Sequence, residues 1–282
     1  MKKSTFFYAL IDDSAGAGYI EAMKMRRLHI PVLLIIIILF SVSCSSKQEF
    51  TLENSGSGTA ELEIELHPFF VQYLRDLVAA FADPTEDFDD FRVFDEMMIA
   101  ESFISIEGLE LTDFERFAPG HIRLSAAFTN PENLLPPPAD PGSEPVITFL
   151  QEPDSEGLEA LYSLRIRLDS RNVQTLYSLL GVEEQQNMLT FGPQPDPMND
   201  REYIEMMSYA LGTYEDEEVL KEIIETRKIE ITLRVEGTIV EGWGVSFKKD
   251  TATLTMPFLR PATLQEPIEF YLKWREQPGG LE

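Results

Sequence analysis

The sequence predicts an α+β fold: an antiparallel β-sheet with helices packed on one face. Three observations carry that prediction. Ala60, Leu62, Ile64 and Leu66 alternate with Glu61, Glu63 and Glu65, and the same period of two returns at residues 164–168 and 228–235, as half-buried strands require. Between these strands lie apolar residues at helical spacing, such as Phe70, Leu74, Leu77 and Phe81. The apolar fraction of 44%, with 19 phenylalanines, is too high for a disordered chain and sufficient for a packed core in 282 residues.

The elements follow in order. Residues 45–47 read as a polar tether, and residues 50–52 begin the fold. Asn54-Ser55-Gly56-Ser57-Gly58 reads as a turn, since glycine supplies positive φ and Asn or Ser bonds its own backbone. A glycine-rich run can also cradle phosphate, but a strand follows this one, with no GK[ST] and no helix. The strand at 60–66 ends at His67-Pro68, and residues 69–81 form a helix. An acidic loop covers 83–90, and a second helix runs from about 91 to 105, with Gly108 to stop it. Strands at 109–117 and 121–128 are joined by a Pro119-Gly120 turn. Residues 136–145 hold five prolines and can form neither a helix nor a central strand. They are a linker between halves or a long surface loop.

The β pattern then returns, with strands at 146–150 and 158–168. A helix at 170–180 has Ser170 as N-cap and Gly181 as stop. Helices at 200–211 and 215–227 precede the strand at 228–235, and a meander of 244–247, 251–256 and 268–274 closes the chain. The organisation is therefore tether and first strand or turn (44–58), a first α+β unit (59–135), the proline-rich segment (136–145) and a second α+β unit (146–282). The strand and helix after Leu62 are echoed, 102 residues later, after Leu164. If the two strands paired, Glu61, Glu63 and Glu65 would face Arg165 and Arg167.

Composition narrows the function. With 49 acidic and 23 basic side chains the net charge is −26, which excludes nucleic acid as a partner because phosphate binding needs concentrated Lys and Arg. The single cysteine excludes an internal disulfide, a thiolate zinc site and a CxxC redox pair. His67 and His121 belong to no ligand spacing, and no GxSxG occurs. Glu61, Glu63 and Glu65 sit ~6.7 Å apart along one strand face, a spacing glycosidases use, but any solvated acidic strand offers it. The run Asp83, Glu86, Asp87, Asp89, Asp90 resembles a calcium loop without its turn glycine or its twelfth-position glutamate. Met97, Met98, Met206, Met207 and Tyr209 read as core rather than a ligand groove. Trp243 between two glycines suits a bend that presents it at the surface, with core packing as the default reading. These residues predict no catalytic set, no metal and no cofactor.

The amino terminus is more specific. Met23-Lys24-Met25-Arg26-Arg27 is a basic cluster, followed from Leu28 to Phe40 by a run whose only polar residue is His29, and then by Ser41-Val42-Ser43-Cys44. Basic region, apolar run and small residues are the parts of a secretory signal. Residues 30–43 would make ~21 Å of helix, short of the ~30 Å core of a bilayer, which takes ~20 apolar residues to cross. Residues 1–22, with Asp12, Asp13 and Glu21, read as an extension or a mis-assigned start, and residues 23–43 as the signal peptide.

Ser41-Val42-Ser43-Cys44 resembles the lipobox of bacterial lipoproteins, in the relaxed form seen in spirochaetes, where Ser41 replaces the usual leucine. The resemblance implies diacylglyceryl transfer to the Cys44 thiol, cleavage between Ser43 and Cys44, and acylation (palmitate or similar) of the new terminus. The turn, strand and helix that follow are similar to the LppM-like envelope lipoproteins of unknown activity. Removal of residues 1–43 takes away five basic and three acidic side chains, leaving 46 acidic and 18 basic ones and a net charge of −28. Anionic headgroups would repel such a body within ~8 Å, so membrane binding comes from the lipid and the body stands off. The function expected is a non-enzymatic binding or structural lipoprotein of the cell or outer membrane, exported to the periplasm or surface. It could serve a protein partner or carry an apolar ligand. An envelope hydrolase using paired carboxylates is the alternative.

Overall fold

A computed structural model describes residues 43–81, 91–135, 137, 142–153, 160–173, 175 and 198–276. The expected signal peptide up to residue 42, the acidic run at 83–90, most of the proline-rich segment and the greater part of the helix expected at 170–180 lie outside the described residues. Among those described, mixed α and β structure with dominant sheets bears out the fold class. The chain forms two sheets. Seven strands lie in the order β3-β4-β2-β1-β7-β10-β9, and four in the order β5-β6-β11-β8. They are β1 (Ser43–Leu52), β2 (Gly58–Leu66), β3 (Leu109–Ala118), β4 (His121–Phe128), β5 (Ile147–Pro153), β6 (Ala160–Leu168), β7 (Lys228–Val235), β8 (Thr238–Trp243), β9 (Ser246–Lys248), β10 (Thr251–Pro257) and β11 (Ile268–Arg275).

β2 shows why the period of two works. Ala60, Leu62, Ile64 and Leu66 are buried while Glu61 and Glu65 are exposed, and Ile122, Leu124 and Ala126 continue the buried face on β4. β1 departs from expectation. The strand already covers Ser45, Ser46 and Lys47, so the polar tether expected there is absent. Its order comes from its neighbours: β2 pairs on one side and β7 on the other, and two ladders override a weak local β-propensity. The β1–β7 pair is parallel, so the larger sheet is not wholly antiparallel. It also joins residues on either side of the proline-rich segment.

Five helices are described: α1 (Pro68–Phe81), α2 (Glu96–Ile104), α3 (Asp200–Leu211), α4 (Glu217–Thr226) and α5 (Leu259–Thr263). Pro68 opens α1, where its missing N–H is no loss. α3 begins with a capping box between Asn199 and Glu202, and Asp216 caps α4. α2 starts later than its apolar pattern suggests, because Phe94 is fully buried in the bend before it. Asp169, rather than Ser170, opens the turn after β6: its carboxylate accepts from the backbone N–H groups of Arg171 and Asn172.

Buried residues of both sheets and all the larger helices form one core. The two sheets meet at the β1–β2 turn, where Trp274 of β11 bonds to Asn54 and the ring of Phe149 covers Gly56. At the other end of β2, Leu66 and Val71 of α1 close over Gly120, whose lack of a side chain admits them.

Candidate functional site

Cys44 lies in β1, at an irregularity in the β1–β2 register between Ser43 and Ser45. The register places a defined surface around it. Ser43 is level with Leu66, and the Leu66 N–H donates to the Gly120 carbonyl at 2.8 Å. One step inward, Ser45 is level with Glu65, Glu65 with His121, and His121 with Ala118. The first residues of β1, the end of β2 and the tip of the β3–β4 hairpin therefore form one edge of the large sheet.

The outer face behind that edge carries a charge network built by alternation on β2, β3 and β4. Glu63 on β2 lies directly opposite Arg123 on β4. The Arg123 guanidinium donates to Glu63 at 3.1 Å and to Glu115 at 3.4 Å, and reaches Glu61 at 4.0 Å. His121 Nε2 lies 3.1 Å from Glu63; an ionised carboxylate only accepts, so that nitrogen donates. Hydrogen bonds from Arg123 and His121, with their charges, hold the Glu63 carboxyl below its ordinary pKa despite some desolvation. The Arg123 guanidinium also stands 5.1 Å over the Phe117 ring, whose centroid is 4.6 Å from that of His121. Phe117, Ala118 and Pro119 are all exposed.

The expected pairing of Glu61, Glu63 and Glu65 with Arg165 and Arg167 does not form. β2 and β6 lie in different sheets. Cross-strand partners are found within each sheet instead: Arg123 of β4 donates to Glu63, and Arg165 donates to Glu269 of β11 at 2.6 Å, while Arg167 donates to Asp169 in the turn after its own strand at 3.2 Å. Burial pushes the Asp169 carboxyl up, but hydrogen bonds from Arg171, Asn172 and Arg167 outweigh it and leave the pKa lowered.

The remaining candidates separate. His67 packs on Phe69 at 4.2 Å; burial pushes its pKa down, and its buried Nδ1 has no hydrogen-bond partner among the described residues. Met207 is in the core and Met206 partly so, while Met97 and Tyr209 are exposed, against the expectation of core; the Met98 side chain is not among those described. Trp243 is at the surface, against the default expectation of core packing: it is 43% exposed and stacked on Tyr271 at 6.0 Å, while Phe247 covers Gly242. Among the described residues no group of three or more His, Cys, Asp or Glu is placed to hold a metal ion, and no helix is long and apolar enough to cross a membrane. Sequence reasoning missed the apolar hairpin tip. Its signal was the run Phe117-Ala118-Pro119, which breaks the acidic pattern of Glu110, Asp113 and Glu115.

No family model and no curated protein matches the sequence. Among solved structures, the chain is similar to the folded domain of the Mycobacterium tuberculosis LppM protein, determined by NMR, at 10% identity and a TM-score of 0.31, covering 83% of this chain and 90% of that one.

Proposed function

We propose that this chain is a lipid-anchored cell-envelope protein, attached to the cell or outer membrane through acyl groups on Cys44, its folded part exported and acting as a non-enzymatic binding or structural component. The observation that carries the reading is the order of residues 23–44: basic cluster, apolar run, small residues, then the chain's single cysteine. A thiol at that place is what a lipid transfer needs, and several acyl chains at ~0.8 kcal/mol per buried CH₂ hold a protein stably on a bilayer. A protein partner and an apolar ligand are both compatible with it.

The rival reading, a hydrolase working through paired carboxylates, is disfavoured by the surroundings of those groups. Glu61 and Glu65 are exposed. Glu63 is held ionised by Arg123 and His121, the reverse of what a general acid requires.

Intact-mass analysis of the membrane fraction tests the proposal. The expected species begins at Cys44 and carries diacylglyceryl and amide-linked acyl mass. A Cys44→Ser variant is expected to leave that fraction or to stay unprocessed. An unprocessed, unacylated wild-type chain overturns the anchor.

A further inference from the structure

We propose that the tip of the β3–β4 hairpin, Phe117-Ala118-Pro119, rests among the lipid headgroups of the bilayer to which Cys44 is anchored. The inference rests on the lipid anchor and adds an orientation and a contact surface to it.

The first premise is the missing spacer. β1 is already a paired strand at Ser45, level with Glu65 on β2, so Cys44 belongs to the sheet edge itself. A cysteine sulfur is only two bonds from its own Cα. With acyl chains in the hydrocarbon, the backbone of this edge is drawn to the headgroup layer, roughly 5–8 Å thick on each side of the bilayer core. The second premise is level. Ser43, Leu66 and Gly120 share one height along the strands, and Ala118 is paired with His121 one step behind. The hairpin tip therefore stands as far forward as the anchored residue. It is displaced sideways by three strand spacings, about 14 Å.

The third premise is chemistry. β3 carries Glu110, Asp113 and Glu115, yet its last two residues, Phe117 and Ala118, and Pro119 in the turn after it are three consecutive exposed apolar residues. Phe117 is 46% exposed, and behind it the Arg123 guanidinium covers the ring. An aromatic ring with a cation set behind it suits an interface, the ring toward the apolar layer and the cation toward phosphate. Of the acids around this pair, Glu63 accepts from both Arg123 and His121 and Glu115 accepts from Arg123 at 3.4 Å, while Glu61 lies at 4.0 Å. The occupant to which we commit is a zwitterionic phospholipid surface, because a body of net charge −28 is repelled by an anionic one.

The test uses full-length protein, acylated in a bacterium and reconstituted in phosphatidylcholine vesicles. A thioether at Cys44 leaves one reactive thiol in an Ala118→Cys variant, which is labelled with an environment-sensitive fluorophore. Thr59→Cys serves as the distant control: Thr59 is exposed, near the opposite end of β2 and about 20 Å away along the strand. The expected result is a blue-shifted emission at position 118, quenched by lipids spin-labelled near the headgroup, with a water-like emission at position 59. Adding Phe117→Ser is expected to reverse most of the shift at 118. Protein that carries the acyl mass and floats with vesicles, yet gives a water-like label at 118 or equal shifts at 118 and 59, overturns the docking and leaves the anchor standing. Protein that neither carries the acyl mass nor floats overturns both.

Discussion

Replacing Asn54 with alanine tests how the two sheets are tied together. Trp274 of β11 is fully buried and donates its Nε1–H to Asn54 Oδ1 at 3.0 Å. Its ring is stacked against Tyr162 at 5.8 Å and tilted toward Phe149 at 6.0 Å, which closes the nitrogen off from water. Asn54→Ala therefore leaves a buried N–H without its acceptor, a cost of about 1–3 kcal/mol. The backbone bond from the Asn54 N–H to Glu236 survives the substitution. Trp274→Phe removes the donor instead, and the partly exposed Asn54 amide turns to water, so the hydrogen-bond share of that change is only about 1 kcal/mol. In the Trp274→Phe background Asn54→Ala has no buried donor to strand. The two substitutions should then couple by about 1–2 kcal/mol in a double-mutant cycle. Thermal unfolding reads the single change as a Tm drop of about 4–8 °C for a cost near 2 kcal/mol at this size, and urea titration reads it as a lower midpoint at unchanged m. An equal cost for Asn54→Ala with and without Trp274 would refute the reasoning.

Two further outcomes are expected beside the anchor and docking tests above. Glu63 has its pKa lowered in the fold, so its contribution to stability is present above the ordinary carboxylate value of 4.5 and is lost as pH falls through the lowered one. Unfolding midpoints measured from pH 6 downward should fall less steeply for Glu63→Gln than for wild type below about pH 4.5, and parallel curves would show that Glu63 is not the group responsible. Gly244 sits at positive φ (75°) where the chain leaves β8 for β9, and a Cβ there would lie 2.6 Å from the Glu269 carbonyl oxygen. Gly244→Ala should therefore cost more than about 1 kcal/mol, read as a lower urea midpoint; an unchanged midpoint would show that this corner between the sheets is not constrained.

Legibility followed the origin of each element's order. β2, β7 and α3 carry their own periodicity, and the sequence locates them to within a residue or two. β1 does not, because Ser43–Leu52 is a strand by virtue of the two strands beside it. β8 escaped because a register shift between Lys273 and Trp274 of β11, together with Gly242, breaks the alternation that marks a strand. Alternation marks the acidic face of β2, where Glu61 and Glu65 are exposed, but Arg165 and Arg167 on β6 are half-buried. The partners of both strands differ from those expected: alternation tells which side a residue faces, never which strand lies alongside. The same limit governs the site. Cys44 is singled out by the basic and apolar residues before it, whereas the hairpin tip becomes part of the same edge only once β2 bridges β1 and β4.

That edge changes what the acidic charge would imply for a protein anchored at Cys44 as proposed. A net charge of −28 on a tethered body predicts a body held away from the bilayer, and a flexible spacer would have allowed it. With β1 paired from its first residues, an acylated Cys44 leaves no room for standing off, so the repulsion depends on which acids come near the headgroups. Glu49 and Glu61 face each other four residues further up the strands from Ser45, about 13 Å, beyond the ~8 Å over which salt lets a charge act. Lys47, closer to the edge, is paired with Glu49 at 2.6 Å. Glu63 is matched by Arg123 and His121. Of the β2 carboxylates, Glu65 alone stands at the edge, while Lys228 at the start of β7 is a cation on the same side of the sheet. Glu65 aside, the β2 carboxylates are paired or set back and the apolar tip is set forward. Under the proposed anchor, a strongly acidic protein can therefore rest on a neutral membrane by this one end.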